Sequence, residues 1–339
     1  MRMLNQPDDA VRFDFVGFED LHPSPSASGG FSGVRCLVLG AGGFLGGALA
    51  AALRAGGAAV HVYGRSLSAG TPDDAGRTEA TLDDAEALTA ALRGQDIVFH
   101  LVSSSLPETS NRNPAEHVLD EVLPTLRMLE LCRAAQVRKV VFASSGGTVY
   151  GIPSVVPTPE SAATVPISAY GINKLMVERY LELYRHLHGL DYTVLRIANP
   201  YGPGQSPFKK QGVVAAILHR AMSGSAIEVW GSGEVTRDFI HVDDVAGAFL
   251  AAALYDGPHR TFNVASGQGR SLNEIVADVK HILQLPSLEV VRKAGRPADV
   301  PISILDTGLI RLTTGWEPRV TWSEGLAATA AWMRAAHRL

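Results

Sequence analysis

Cysteine is nearly absent: Cys36 and Cys132 are the only two in 339 residues, and each sits among apolar neighbours. Such usage argues against a disulfide framework or thiolate metal centre and predicts two reduced core thiols. The eleven histidines form no HExxH-like cluster, so the familiar zinc-hydrolase signature is missing too. Charge is sparse, with 19% charged residues and a net charge of −4. Without a basic excess, neither nucleic acid nor an acidic membrane surface is an expected partner. No apolar run reaches the ~18 residues of a membrane span. The N-terminus, with Asp8 and Asp9, lacks the continuous apolar stretch of a signal peptide. These absences point to the cytoplasm. There is no charge run and no internal repeat. What is abundant is apolar: 46% hydrophobic residues, in a chain long enough for one large α/β unit or two domains.

Residues 1–33 read as an extension, ending in "HPSPSASGGFSG", a Pro/Ser/Gly-rich stretch of linker composition. The preceding "VRFDFVGF" has some apolar character that could pack on the body. From Val34 short apolar runs alternate with helical segments. "VRCLVLG", "AAVHVYG", "DIVFHLV", "RKVVFAS" and "YTVLRIA" read as strands. "FLGGALAAALRAG" and "DDAEALTAALRG" read as helices, and "NPAEHVLDEVLPTLRMLELCRAAQ" as a long helix interrupted at Pro124. This alternation predicts an α/β fold with a doubly wound parallel sheet of Rossmann type over 34–198. Beyond 199 the Gly/Pro-rich loops "YGPGQSPF", "EVWGSGE" and "AGRPADVP" predict a smaller substrate domain over 199–339. Within it, about 239–265 is expected to return and complete the large sheet, so the two domains interleave.

Two patterns carry chemistry. "VLGAGGFLGG" follows the first strand and opens the first helix, with Gly40, Gly43 and Gly46 spaced GxxGxxG around Phe44 and Leu45. Glycines there allow a tight turn and a close approach of backbone N–H groups to a pyrophosphate. An acid that would accept from the ribose of NAD is expected about 20 residues on. The chain instead reads "VYGRS", with Gly64 at that point and Arg65 after it. Arg65 can accommodate the 2′-phosphate of NADP, stack on adenine or stay solvated. The second pattern is "SAYGINK", which puts Tyr170 and Lys174 four apart on one helix face. An ammonium beside a phenol favours the phenolate, which makes Tyr170 a candidate acid/base group. The same spacing also occurs on half-exposed helices with no catalytic role.

With the glycine loop, "SSGGTVYG" after the fifth strand and "YGINK" some twenty residues later, the chain resembles the extended short-chain dehydrogenase/reductases. Within them it resembles the nucleotide-sugar epimerases of UDP-galactose 4-epimerase type, over about 34–335. "RIANPYGPG" resembles the segment whose asparagine, here Asn199, contacts the substrate diphosphate. "TRDFIHVDDVA" and "GRPADVP" resemble the motifs in which Arg237 and Arg296 would meet phosphate and Asp299 the ribose. Two guanidinium forks suit a diphosphate. Four residues past Asp299, Ser303 takes the place of a size gate beside the sugar. The family loop "SSSATVYG" departs here, with Gly146 where its catalytic hydroxyl stands; Ser145 is the first candidate for that role and Thr148 the second.

The resemblance implies a 4-epimerase of a UDP-sugar (UDP-glucose or galactose, a UDP-N-acetylhexosamine or UDP-glucuronate) acting by transient oxidation at C4. The cofactor ends unchanged, which favours tightly held NAD over NADP. A homodimer through helices at about 114–135 and 168–188 is also implied. An NADPH-dependent 4-ketoreductase would use the same groups. A 4,6-dehydratase is disfavoured, because its Asp-Glu pair is replaced by Gly147 and Thr148. A catalytically silent dinucleotide-binding protein commonly loses Tyr170 or Lys174, and both are present.

Overall fold

After Arg35, every residue of the first strand β1 (Arg35–Leu39) is buried. An uninterrupted apolar run of that kind belongs in a parallel sheet covered on both faces. The computed structural model describes residues 30–67, 76–103, 110–208, 212–294 and 300–337. In it β1 pairs in parallel with β2 (Ala59–Gly64) on one side and with β4 (Ile97–His100) on the other. Beyond β2 lies β3 (Arg77–Glu79); beyond β4 come β5 (Lys139–Ser145), β6 (Asp191–Ile197) and, last, Thr261–Val264. All seven are parallel, and the order reverses between β1 and β4. In doubly wound sheets that reversal opens the ligand crevice at the strands' carboxyl ends. The five strands expected from apolar runs are all present. β3 had no such signal: it is three polar residues at the sheet edge.

Side-chain alternation divides the core into two layers. Val38, Val60, Phe99 and Val141 face the helices Phe44–Ala55 and Val242–Leu254. Leu37, Leu39, Val140 and Phe142 face Leu88, Met128, Cys132, Val177 and Leu181 on the opposite side. Cys36 and Cys132 are both free and buried, as expected, and burial raises the Cys36 thiol to about 12. Phe31 is only 1% exposed and belongs to the first layer, so the packed body begins ahead of Val34. The rest of the proposed extension, residues 1–29, lies outside the described residues.

The smaller unit contains a four-stranded sheet. At its centre is β9 (Thr236–His241), paired with Asn199–Tyr201, Gly269–Ser271 and Ile302–Ser303. The returning stretch is therefore divided. The helix Val242–Leu254 and the strand Thr261–Val264 join the large sheet, whereas "DFIH" stays in the small one. Chain order explains this: β9 runs straight into the helix that crosses over, so the crossing begins one element later than the apolar pattern implied.

The long helix is not broken at Pro124. It runs as Pro114–His117, a π-helical stretch Val118–Val122 and Leu123–Ala134. Proline has no N–H and its ring crowds the carbonyl four residues back. Here the helix absorbs both by widening one turn instead of stopping.

Candidate active site

The glycine loop sits at the carboxyl end of β1, next to the reversal of strand order. Gly40 has φ +90°, a conformation open to glycine, and its N–H donates to the Tyr63 carbonyl. At Gly46 a side chain would start 2.1 Å from the Gly40 carbonyl, so only glycine lets the helix seat against the turn. That helix begins at Phe44 with no side-chain cap and no acid in its first turn. Its terminal N–H groups and its positive dipole end suit a pyrophosphate. The glycine loop thus forms a tight turn that seats the start of this helix, with Phe44 and Leu45 half-buried beside it. Arg65 is exposed just past the end of β2.

Tyr170 lies in the first turn of the helix Ala169–His188. Ser168 caps that helix by accepting from the Gly171 N–H at 3.2 Å. The two N–H groups ahead of it donate to side chains from another segment: Ala169 to Asn111 Oδ1 at 2.8 Å and Tyr170 to Ser110 Oγ at 3.0 Å. One turn on, Lys174 is 3% exposed, with Nζ 5.5 Å from the Tyr170 ring centroid and 5.0 Å from that of Phe142. Its ammonium lies 2.9 Å from Glu121, another buried group. Burial is the largest influence and would lower the lysine, but the charge and hydrogen bond of Glu121, joined by Tyr170 and Glu178, together hold Lys174 above its ordinary value. His100, fully enclosed nearby, is pushed down to about 3 by burial and then by the Lys174 charge, so it stays neutral.

Behind the pair is a buried polar network. Glu178, one turn beyond Lys174, accepts from Arg196 Nε and Nη2 and from Ser144 Oγ at 2.5 Å. Arg196 also donates to the Tyr150 hydroxyl, which in turn donates to Asn263 Oδ1 at 2.7 Å. The network fixes both ends of the "SSGGTVYG" loop against the Tyr170 helix. Within that loop, a side chain at Gly146 would start 2.3 Å from Leu305 Cδ1 and 3.0 Å from the Arg196 carbonyl. A side chain there would require the Leu305 side chain to shift. Ser144 reaches the Tyr170 helix, and alternation along β5 turns Ser145 to the opposite face. Thr148 is half-buried, and its carbonyl lies close against Gly171, the neighbour of Tyr170.

In the smaller sheet, β9 gathers three of the expected residues. In its register Arg237 is opposite Ser303, and Phe239 opposite Asn199. Positions 237 and 239 point to one face of the strand, so all three side chains share that face. Asn199 Nδ2 donates to the Asp238 carbonyl at 3.0 Å, and Arg237 Nη1 to the Val300 carbonyl at 2.6 Å. Ser303 is buried. Arg296 and Asp299 lie outside the described residues. Among the described residues no cluster of acids, histidines and cysteines could hold a metal ion.

Sequence reading missed several members of this arrangement. Glu178 could have been found, since it continues the 170, 174 spacing by another four residues. Ser110, Asn111 and Glu121 approach from distant segments, and only Pro124 hinted at irregularity near Glu121.

The NAD dependent epimerase/dehydratase family matches residues 36–265. The chain belongs to this family. The UDP-glucose 4-epimerase of Mycolicibacterium smegmatis is 36% identical over 312 residues, covering 89% of this chain and 99% of that protein. Among solved structures, the UDP-glucose 4-epimerase of Thermotoga maritima with UDP-glucose superposes with a TM-score of 0.84 at 36% identity, over 89% of this chain and 99% of that one. The Thermus thermophilus UDP-glucose 4-epimerase in complex with NAD gives 0.81 at 31% identity, covering 89% and 100%. The family membership and the Rossmann-like sheet with its smaller α/β domain agree with the reading of the sequence.

Proposed function

We propose that this family member is an NAD-dependent 4-epimerase of a UDP-sugar. The observation that carries the reading is the buried Lys174, its Nζ 5.5 Å from the Tyr170 ring, in the domain that forms the glycine cradle. The cradle fits a dinucleotide: Gly40, Gly43, Phe44, Leu45 and Gly46 would hold it, with Lys174 and Arg65 at its other parts. When bound, the nicotinamide supplies a reversible hydride acceptor. Tyr170 takes the proton from the sugar 4-hydroxyl and later returns it, with Lys174 favouring the phenolate. Asn199 and Arg237, on one sheet face with Ser303, anchor the diphosphate while the sugar is free to turn; Arg296 and Asp299 share that task by family resemblance. Two relatives with the same fold are complexes with UDP-glucose and with NAD, which supports both ligand classes. A homodimer is supported by exposed Leu119 and Leu123 on one helical run and Ile172, Leu183 and Leu187 on the other.

The test is incubation of the purified protein with UDP-glucose and UDP-glucuronate and no added cofactor. Conversion to a 4-epimer is expected. Activity that strictly requires NADPH and a keto sugar would favour a 4-ketoreductase, the second reading, for which Gly64 and exposed Arg65 at the end of β2 speak.

For the hydroxyl that shares the sugar oxygen with Tyr170, strand alternation supports Thr148 over Ser145, reversing the order expected from sequence. Thr148→Ala should therefore cost more turnover than Ser145→Ala. A larger loss in the Ser145 variant would return the role to the strand end.

Ser303 offers a check on substrate size. Serine leaves room that a phenol would fill, and overpacking an unyielding pocket costs roughly 1–3 kcal/mol. Ser303→Tyr should lower kcat/KM for UDP-N-acetylglucosamine much more than for UDP-glucose, because specificity is a ratio of transition-state affinities. Equal loss on both substrates would take Ser303 out of the sugar pocket.

A further inference from the structure

Pro124 cannot donate a backbone hydrogen bond, and the turn ahead of it closes wide: the Leu123 N–H donates to the Val118 carbonyl, five residues back. Within that wide turn Leu119 is exposed, whereas Glu121 is only 4% exposed. Its carboxylate meets Lys174 Nζ at 2.9 Å and Ser103 Oγ at 3.1 Å. Next to it Thr125 donates back to the Glu121 carbonyl at 2.6 Å and bonds the neutral His100 at 2.9 Å. The other charged or titratable groups around Lys174 come from its own helix, Tyr170 and Glu178, and Glu178 is already matched by Arg196 from β6. Glu121 is thus the carboxylate paired directly with the Lys174 ammonium.

We propose that Glu121 is a positioning residue of the catalytic pair: it pins Lys174 as an ammonium facing Tyr170. This rests on the assignment of Tyr170 and Lys174 given above. An ammonium has three donors. Glu121 takes one and fixes the direction of the other two, which remain for the phenol and the cofactor. A buried ammonium without such a partner would shed its proton and its influence on the phenol.

Linkage gives a test that needs no substrate. In the wild type Lys174 is held above its ordinary value of 10.5, so its stabilising share is complete below that pH and is lost only as pH rises through the higher folded value. In Glu121→Gln the buried ammonium loses its counter-charge and its folded value drops. The melting-temperature deficit of this variant should then be greatest near neutrality and shrink as pH approaches 10. In Lys174→Met the buried carboxylate loses its counter-charge and its folded value rises, so the deficit should be small near pH 4 and grow as pH increases. The deficit of each single variant at its worst pH should be at least about 5 °C. The double variant should lose less than the sum and show no such slope.

Melting curves of the full-length protein and these three variants between pH 4 and 10 decide the matter. Opposite slopes for the two single variants, cancelled in the double, are the expected result. Should Glu121→Gln fail to fold near neutrality, the Lys174→Met slope and its removal in the double variant carry the same test. Deficits independent of pH, or of the same slope, would make Glu121 a packing residue only. In turnover, Glu121→Gln should lower kcat tenfold or more with KM within about twofold. A protein that melts as expected but converts no sugar would overturn the assigned reaction and leave the pair intact.

Discussion

Replacing Tyr170 with phenylalanine is expected to lower kcat by at least about 10², the low end of general acid–base contributions, with little change in KM. The ring and its packing survive that change; only the oxygen proposed to exchange the proton is lost. Lys174, buried one turn away, faces that ring with its Nζ 5.5 Å from the centroid. Steady-state kinetics of the variant, with cofactor content checked, gives the answer. Turnover close to wild type would remove Tyr170 from the chemistry.

The largest effect on stability is expected from Arg196→Met. Arg196 and Glu178 are buried to within 6% exposure on both sides and joined at 2.7 Å. Removing the guanidinium leaves a carboxylate without its cation in a water-poor site, a loss of about 3–5 kcal/mol. The Tyr150 hydroxyl would lose a donor as well. Because this network braces "SSGGTVYG" against the Tyr170 helix, activity should fall with stability. Arg196→Lys should rescue only part, since a single ammonium cannot reproduce the forked contact. Chemical denaturation of the two variants and of Arg196→Met/Glu178→Gln would measure the coupling. A loss below about 1 kcal/mol in Arg196→Met would contradict the role given to the pair.

How much of this was legible in the sequence depends on the range of the interaction. The strands of the large sheet were readable because a doubly covered parallel sheet writes itself as short apolar runs. The glycine cradle and the Tyr170–Lys174 spacing were readable because each lies within a few residues of chain. β3 was not, being polar and at an edge, where the backbone pairing rather than burial holds it. The path of β9 was misjudged for a related reason: an apolar strand followed by an apolar helix gives no sign of which sheet takes the strand. Pro124 was read as an interruption, but tertiary packing kept the helix going by widening a turn. Glu121 lies 53 positions from its lysine, and nothing local marks it as buried. Gly146 stood out only as a departure. The side chain packed against it, Leu305, comes from a segment 159 residues away.

The central claim is that the sugar is oxidised and reduced at the same carbon, by a cofactor that never leaves. UDP-glucose carrying deuterium at C4, incubated with the purified protein and no added cofactor, tests this most directly. The account predicts a 4-epimer that keeps the deuterium on C4, because the hydride removed from one face returns to the other. Loss of the label to solvent, or conversion that begins only when NADPH is supplied, would contradict it.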